Sequence, residues 1–412
     1  MALDPVQTLQ ELIRIPSVNP MGRIPAGGRL GEKQLTDYLQ FMFCERYCLP
    51  HLRQEVHLQR DNLIAVIQGN PPAAEGGELI LWDVHQDTVS ADGMTVDPFA
   101  GEVRDGRVYG RGACDVKGSM AAMIAAISRL ASGERPERTP TVVIAFTVNE
   151  ECGFTGATAL RALWQDASSA KVIPGTITPE VLFPRPPDAA IVAEPTDLNV
   201  VVAHQGVVRW RCHAEGRAAH SSRPDEGVNA IYAMSRVIQA IEQYHIQIAS
   251  KSREHPLCGR ASVCVSTIHG GVGINTVPDR ATIEIDRRIG PGEDPELAFA
   301  DLVRHVANNA DIGFARIVHD PPFMKSAGLI DVTNRSLANR LVQVVRSSGR
   351  LCESHGVPYG TDAAAIAAGQ VPTVVFGPGS IRQAHTADEF IEVEELERAT
   401  DLFYRIAKDG LR

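Results

Sequence analysis

Seven residues of this 412-residue chain have types and spacings that could carry hydrolytic chemistry: His85, Asp87, Asp115, Glu150, Glu151, Glu194 and His385. Each follows an apolar run or a Gly-rich turn. Two divalent ions sharing one bridging carboxylate need about five ligands, and His85, Asp115, Glu151, Glu194 and His385 supply that set, with Asp115 as the natural bridge. Imidazoles and carboxylates without thiolates form the donor set of a catalytic rather than a structural zinc-type site. Asp87, just beyond His85, suits the task of holding that imidazole by a hydrogen bond. Glu150 lies beside a ligand but points elsewhere, so it is free to take a proton from water and pass it to a leaving nitrogen. Each residue also has a plainer reading. Asp115 could cap the helix that follows it, Glu150 and Glu151 could be a solvated surface pair, and His385 could be a loop histidine. The shared placement at strand ends of one α/β unit favours a site.

The elements that present these residues alternate. An apolar run at Leu79–Leu81 leads to His85 and Asp87, Thr141–Thr147 (TVVIAFT) to Glu150 and Glu151, and Ala189–Val192 to Glu194. Continuous apolar strands are those of a parallel sheet buried on both faces. GRGACDVKG sets Asp115 between Gly-rich turns, and an apolar helical stretch follows over 119–130. Asp4 before Pro5 opens a first helix, Pro20–Gly28 reads as a Gly/Pro loop, and Leu30–Phe43 and Gly156–Leu163 read as helices. This predicts an α/β, doubly wound, mixed-sheet catalytic domain. After Val202 the pattern becomes strand 207–213, helix 228–244, strands 261–268 and 281–289, helix 295–308 and strand 314–319. That β-α-β-β-α-β order is the split ferredoxin-like arrangement. The expected organisation is a catalytic domain in two segments, 1–202 and 325–412, with an α+β lid or dimerisation domain inserted between them at 203–324.

Composition bounds the partners. With 44% hydrophobic and 22% charged residues the chain is an ordinary globular one. A net charge of −10 argues against nucleic acid or an anionic membrane as the main partner. The eight cysteines form no C-x-x-C pair, and no apolar run approaches the ~20 residues of a membrane span. The N-terminus lacks the basic and apolar regions of a secretory signal, so the expected location is cytoplasmic. Neither G-x-S-x-G nor H-E-x-x-H occurs.

The motifs HQDTV (85–89), GRGACDVKG (110–118), NEECG (149–153), AEPT (193–196), AAHSS (218–222), GINTVPD (273–279), IDRR (285–288), GTDAA (360–364) and GPGSIRQAHTADE (377–389) span roughly residues 6–405. Together they resemble the co-catalytic dizinc amidohydrolases and metallopeptidases, a family that includes acetylornithine deacetylase, succinyl-diaminopimelate desuccinylase, aminoacylase and carboxypeptidase G. The resemblance implies two ions, zinc or else cobalt or manganese, on His85, Asp115, Glu151, Glu194 and His385, with Glu150 as general base and acid. It implies that His220 stabilises a tetrahedral oxyanion, often from the partner subunit of a homodimer. It also implies that Asn275 and Arg288 meet a substrate carboxylate, and that Thr361 and the Gly377–Gly379 turn line the pocket near His385. Read without it, His220 is a turn residue, Arg288 a solvated strand residue, and Thr361 and Gly379 plain turn chemistry. Two positions vary in the family: Asp or Glu at Glu194, and Asn, Ser or Thr at Cys114. The Gln-Ala before His385 resembles acetylornithine deacetylase more than the desuccinylase, so the expected substrate is a small N-acyl amino acid. Desuccinylase, dipeptidase and carboxypeptidase activities stay open, and the complete ligand set argues against a non-enzymatic binding scaffold.

Overall fold

The computed structural model describes residues 2–21, 30–133, 136–173, 175–251 and 254–411. The loop expected at Pro20–Gly28 falls almost wholly outside them. The chain divides into two compact units. One comprises Met1–Val202, Asp331–His355 and Thr361–Arg412, the other Ala203–Ile330 with Gly356–Gly360.

The first unit is built on a nine-stranded mixed sheet. Its centre is the fully buried strand Leu79–His85, flanked in parallel by Thr141–Thr147 and Ala189–Val192. Thr373–Val375 extends the parallel set beyond Ala189–Val192. The hairpin His51–His57 and Arg60–Ile67 continues the other side in antiparallel fashion. All seven residues of both Leu79–His85 and Thr141–Thr147 are buried, as a strand covered on both faces requires. Register pairs His85 with Thr147, so the chain leaves three neighbouring parallel strands at one edge. That edge is where open α/β sheets place their sites.

Helices Pro5–Ile13, Lys117–Ser132 and Val393–Asp409 pack against one another. The first is started as expected: the Asp4 carboxylate accepts the Gln7 N–H at 2.8 Å, and Pro5 occupies the first turn. The helix expected over Leu30–Phe43 is shorter and irregular. It runs as an α-helix over Lys33–Leu39 and widens into π-helix over Gln40–Glu45.

The second unit carries an antiparallel sheet with strand order 262–270, 280–289, 206–215 and 316–319, and Met324–Ser326 also pairs with 206–215. Gly206–Glu215 and Arg280–Ile289 pair without a break over ten residues each. Their inward side chains, Val208, Trp210, Cys212, Ala281, Ile283 and Ile285, pack under helices Ala230–Lys251 and Pro295–Asn309. The pairing of Met324–Ser326 carries this unit to Ile330, past the expected boundary at 324. Gly356–Gly360 belongs to it as well, although 325–412 was expected to form one block.

Candidate metal centre

The sheet edge delivers its carboxylates and imidazole directly. His85 ends its strand, Glu150 and Glu151 follow Thr141–Thr147 by one turn, and Glu194 follows Ala189–Val192. Asn149 makes that turn with a left-handed backbone (φ 65°), which its short polar side chain tolerates. Asp115 comes from the Gly-rich loop before Lys117–Ser132. Gly112 is required there: its φ is +83°, and a Cβ would lie 2.9 Å from Thr88 Cγ2. His385, also with positive φ (62°), arrives from the loop after Thr373–Val375.

These side chains form two groups, His85–Asp115–Glu194 and Asp115–Glu151–His385. Asp115 joins them, with Oδ1 3.2 Å from His85 Nε2 and Oδ2 3.2 Å from His385 Nε2. His85 Nε2 is 3.9 Å from Glu194 Oε1, and His385 Nε2 is 3.3 Å from Glu151 Oε2. Two donors each ~2.1 Å from a tetrahedral ion lie about 3.4 Å apart, so these separations fit ligands converging on a common cation. The donor types fit as well: one imidazole and two carboxylates per group, and no thiolate.

Electrostatics point the same way. Burial pushes the Glu150 carboxyl well above its usual range, with the Glu194 charge adding to it. Glu194 is raised by burial and by Asp115, and so is Glu151. Burial also opposes ionisation of Asp115, but hydrogen bonds with His385 and His85 outweigh it and hold that carboxyl below the usual range. Bonds to Asp115 and Glu151 raise His385 to about 10. The crowded acidic groups thus resist ionisation while the imidazoles hold their protons, a conflict that bound cations would relieve.

Asp87 differs from expectation in one bond. The His85 Nδ1–H donates to the Asp87 main-chain carbonyl at 2.9 Å, while the Asp87 carboxylate stands 3.9 Å away. That carboxylate instead accepts the N–H groups of Glu150 and Glu151, both at 3.1 Å, and Asn19 Nδ2 at 2.7 Å. Unpaired amides at a helical turn's start attract it more strongly than an imidazole already bonded to a carbonyl.

Thr361 and Gly379 lie in the same unit. Thr361 is buried, and its hydroxyl accepts the Ala363 N–H at 3.1 Å. Gly379 (φ +89°) has no room for a side chain, since a Cβ would sit 2.7 Å from Cys114 Sγ. The other expected residues belong to the second unit. His220 is exposed, pairs with Thr276, and places Nδ1 2.8 Å from Ser222 Oγ. The Ser221 N–H donates to the Asn275 carbonyl at 3.1 Å, which brings His220 and Asn275 into one neighbourhood. Arg288 is engaged within its own strand: Nε is 2.8 Å from Asp286 Oδ1 and Nη2 3.2 Å from Oδ2.

Sequence reasoning assigned no role to four buried residues. Asp83 and Asp362 meet through Thr147, whose Oγ1 is 2.9 Å from Asp83 Oδ1 and 3.2 Å from Asp362 Oδ2. Burial raises Asp83 to about 7 and Asp362 well above its ordinary value. A charged residue inside an otherwise apolar strand, at LWDVH, was the available signal for Asp83. Glu389 and Arg111 form a buried pair, Nη1 to Oε2 at 2.6 Å. Oε2 of Glu389 also accepts the Gly112 N–H at 3.1 Å, and Oε1 accepts those of Cys114 at 2.9 Å and Asp115 at 3.0 Å. Burial draws the Glu389 carboxyl upward. Four N–H donors on its two oxygens leave no acceptor for a proton, so the group is a carboxylate.

Among the described residues no helix is long and apolar enough to cross a membrane. Residues 81–409 match the model of Peptidase family M20/M25/M40. The chain is 28% identical over 354 residues to an acetylornithine deacetylase of Myxococcus xanthus, covering 84% of this chain and 83% of that one. It is 27% identical over 404 residues to an N-acetyl-L-citrulline deacetylase of Xanthomonas campestris pv. campestris, covering 97% and 96%. Its fold matches an M20 family metallo-carboxypeptidase from Sulfolobus solfataricus with a TM-score of 0.75 at 15% identity, covering 99% of both chains. It also matches a dinuclear metal binding peptidase of the M20 family from Bacillus subtilis, with a TM-score of 0.62 at 19% identity, covering 99% and 97%.

Proposed function

We propose a function on one premise: this chain belongs to the peptidase family M20/M25/M40. The reading is hydrolysis of the amide bond of a small N-acyl amino acid, acetylornithine being the leading substrate. The observation that carries it is Asp115, with one oxygen 3.2 Å from His85 and the other 3.2 Å from His385. His85, Asp115 and Glu194 would hold one divalent ion, and Asp115, Glu151 and His385 a second, zinc first among the candidates. Such a pair, when bound, acidifies a water and polarises a carbonyl. Glu150 does the proton work: it accepts a proton from the attacking water and returns it to the leaving amine. Burial and the Glu194 charge raise its affinity for protons, the direction wanted of a group that must take up the water's proton. Asp87 holds the Glu150 and Glu151 amides, so base and ligand keep their relative places.

His220 is the proposed donor to the tetrahedral oxyanion, supported by its exposure and by Nδ1 being held at Ser222. Asn275, Thr361 and Gly379 are proposed pocket contacts. Arg288 could meet a substrate carboxylate only by giving up Asp286. A cytoplasmic homodimer joined through the second unit completes the reading. Its support is the exposed Ile268, Val272 and Ile274 along and just beyond the sheet's edge strand.

The test is amine release by zinc- or cobalt-loaded protein. The panel comprises N-acetyl-ornithine, N-acetyl-citrulline, N-succinyl-diaminopimelate, other N-acetyl amino acids and dipeptides, each with a chelator control. Chelator-sensitive turnover highest on N-acetyl-ornithine supports the reading. A preference for dipeptides would replace the substrate and keep the site. Silence across the panel, with two ions bound per chain, would overturn the assigned activity. In the same assay His220→Ala should lower kcat by about 10²–10³-fold with metal content unchanged. Loss of metal in that variant would make His220 a ligand instead.

A further inference from the structure

We propose that Glu389 is a positioning residue that sets Asp115 and His385 at their mutual distance and so builds the second metal group. The inference rests on the dinuclear reading of Asp115 given above. Three observations carry it. First, Glu389 is fully buried and holds three amides of a four-residue stretch, Gly112, Cys114 and Asp115, besides the Arg111 guanidinium. Asp115 is thus fixed at its own main chain by a carboxylate that occupies neither metal group. Second, Glu389 lies four positions after His385, so one short segment both donates the exposed imidazole and grips the loop bearing the shared carboxylate. Third, the strand that begins at the next residue, Phe390–Glu392, pairs with Arg107–Tyr109, and Gly110 N–H continues that ladder to the Glu389 carbonyl at 3.0 Å. The loop and the segment therefore leave neighbouring strands of one three-stranded sheet together.

Position matters here because a carboxylate serving two cations tolerates little displacement. Partners of ligands that do not themselves bind metal are worth about 10–100-fold in metal affinity. Glutamine cannot replace Glu389, because its amide would direct N–H groups at donors. Aspartate keeps the charge on a shorter stem.

The experiment titrates Co²⁺ into metal-free protein against a competing chelator. Bound equivalents and the visible spectrum of the cobalt are followed, and the melt of each metal-free variant is recorded. Glu389→Gln should weaken one of the two equivalents by about 10–100-fold while the metal-free protein still melts cooperatively. Glu389→Asp should recover part of that loss. A folded Glu389→Gln that binds both equivalents as the wild type does would overturn the proposal. Should Glu389→Gln fail to fold, Glu389→Asp decides, since it keeps the charge but draws the carboxylate back from the three amides. About tenfold weaker binding there supports the proposal, and unchanged binding overturns it. Asp115→Asn separates the two ways to fail. Normal metal binding in that variant would remove the dinuclear reading and this inference together. Weak binding there, beside normal binding in Glu389→Gln, would remove only the positioning role.

Discussion

Glu150 is buried near Glu194, and its main-chain N–H, not its carboxyl, meets Asp87, as the proposed proton-transfer role requires. Glu150→Gln keeps the shape and removes the proposed base. Turnover should fall about 10²–10⁴-fold with metal content unchanged, measured as amine release beside elemental analysis. Near-normal turnover would take Glu150 out of the mechanism. The candidate residues were legible because ionisable groups directly after apolar strands are conspicuous; His85 and Glu194 fall in one group and Glu151 in the other, with Asp115 common to both. Partners acting through main-chain amides were not. Glu389 binds three N–H groups, and amides carry no residue type for a motif to display. The Asp87 bond was misjudged for the same reason: its carboxylate serves two amides, not the imidazole.

At the scale of elements, the turn at Gly377–Gly379 meets the Asp115 loop side by side. A methyl at Gly379 would approach Cys114 Sγ to 2.7 Å, and the backbone there is left-handed. Gly379→Ala should destabilise the fold by roughly 1–3 kcal/mol and weaken metal binding, because the displaced neighbour adjoins Asp115. Adding Cys114→Ala should restore part of the loss, since it relieves the contact but not the backbone strain. A double-mutant cycle of melts and metal titrations measures both, and strict additivity would refute the contact. The same reasoning marks what strand patterning can reach. Buried parallel strands and the alternation of the second unit's strands follow from period and composition. The end of that unit at Ile330 depends on Met324–Ser326 finding a partner over a hundred residues earlier, and local pattern carries no trace of it. The π-helical widening over Gln40–Glu45 was equally hidden, its apolar spacing being compatible with a regular helix.

Across the molecule, one buried and one half-buried imidazole set an acid limit. His204 and His319 are both driven down to about 4 by burial. The Trp210 N–H donates to His319 Nδ1 at 3.0 Å, which requires that nitrogen to be bare. As pH falls from 6.5 towards 4, the unfolded chain takes up protons that the folded chain refuses, so stability is lost on acidification, by up to about 3 kcal/mol for His204. His319→Gln should flatten that decline between pH 6.5 and 4.5 by about 1–2 kcal/mol, by chemical denaturation of metal-free protein. An unchanged slope would contradict it. Loading with metal should raise the melting temperature, each site adding about 2.7 kcal/mol at a hundredfold excess over Kd. Indifference of the melt to metal would count against both groups. The candidate ligands and Glu389 also have an order in time. His85, Asp115, Glu151 and Glu194 all precede residue 200, whereas His385 and Glu389 come close to the end of the chain. A ribosome-bound chain that has emerged only through residue 330 holds every donor of the first group but lacks both the imidazole of the second and the grip on the carboxylate they share. Synthesis from the N-terminus would thus delay the proposed paired centre until the second unit's main span, 203–330, has been made. On the proposed dinuclear mechanism, amide hydrolysis would wait until His385 has been made.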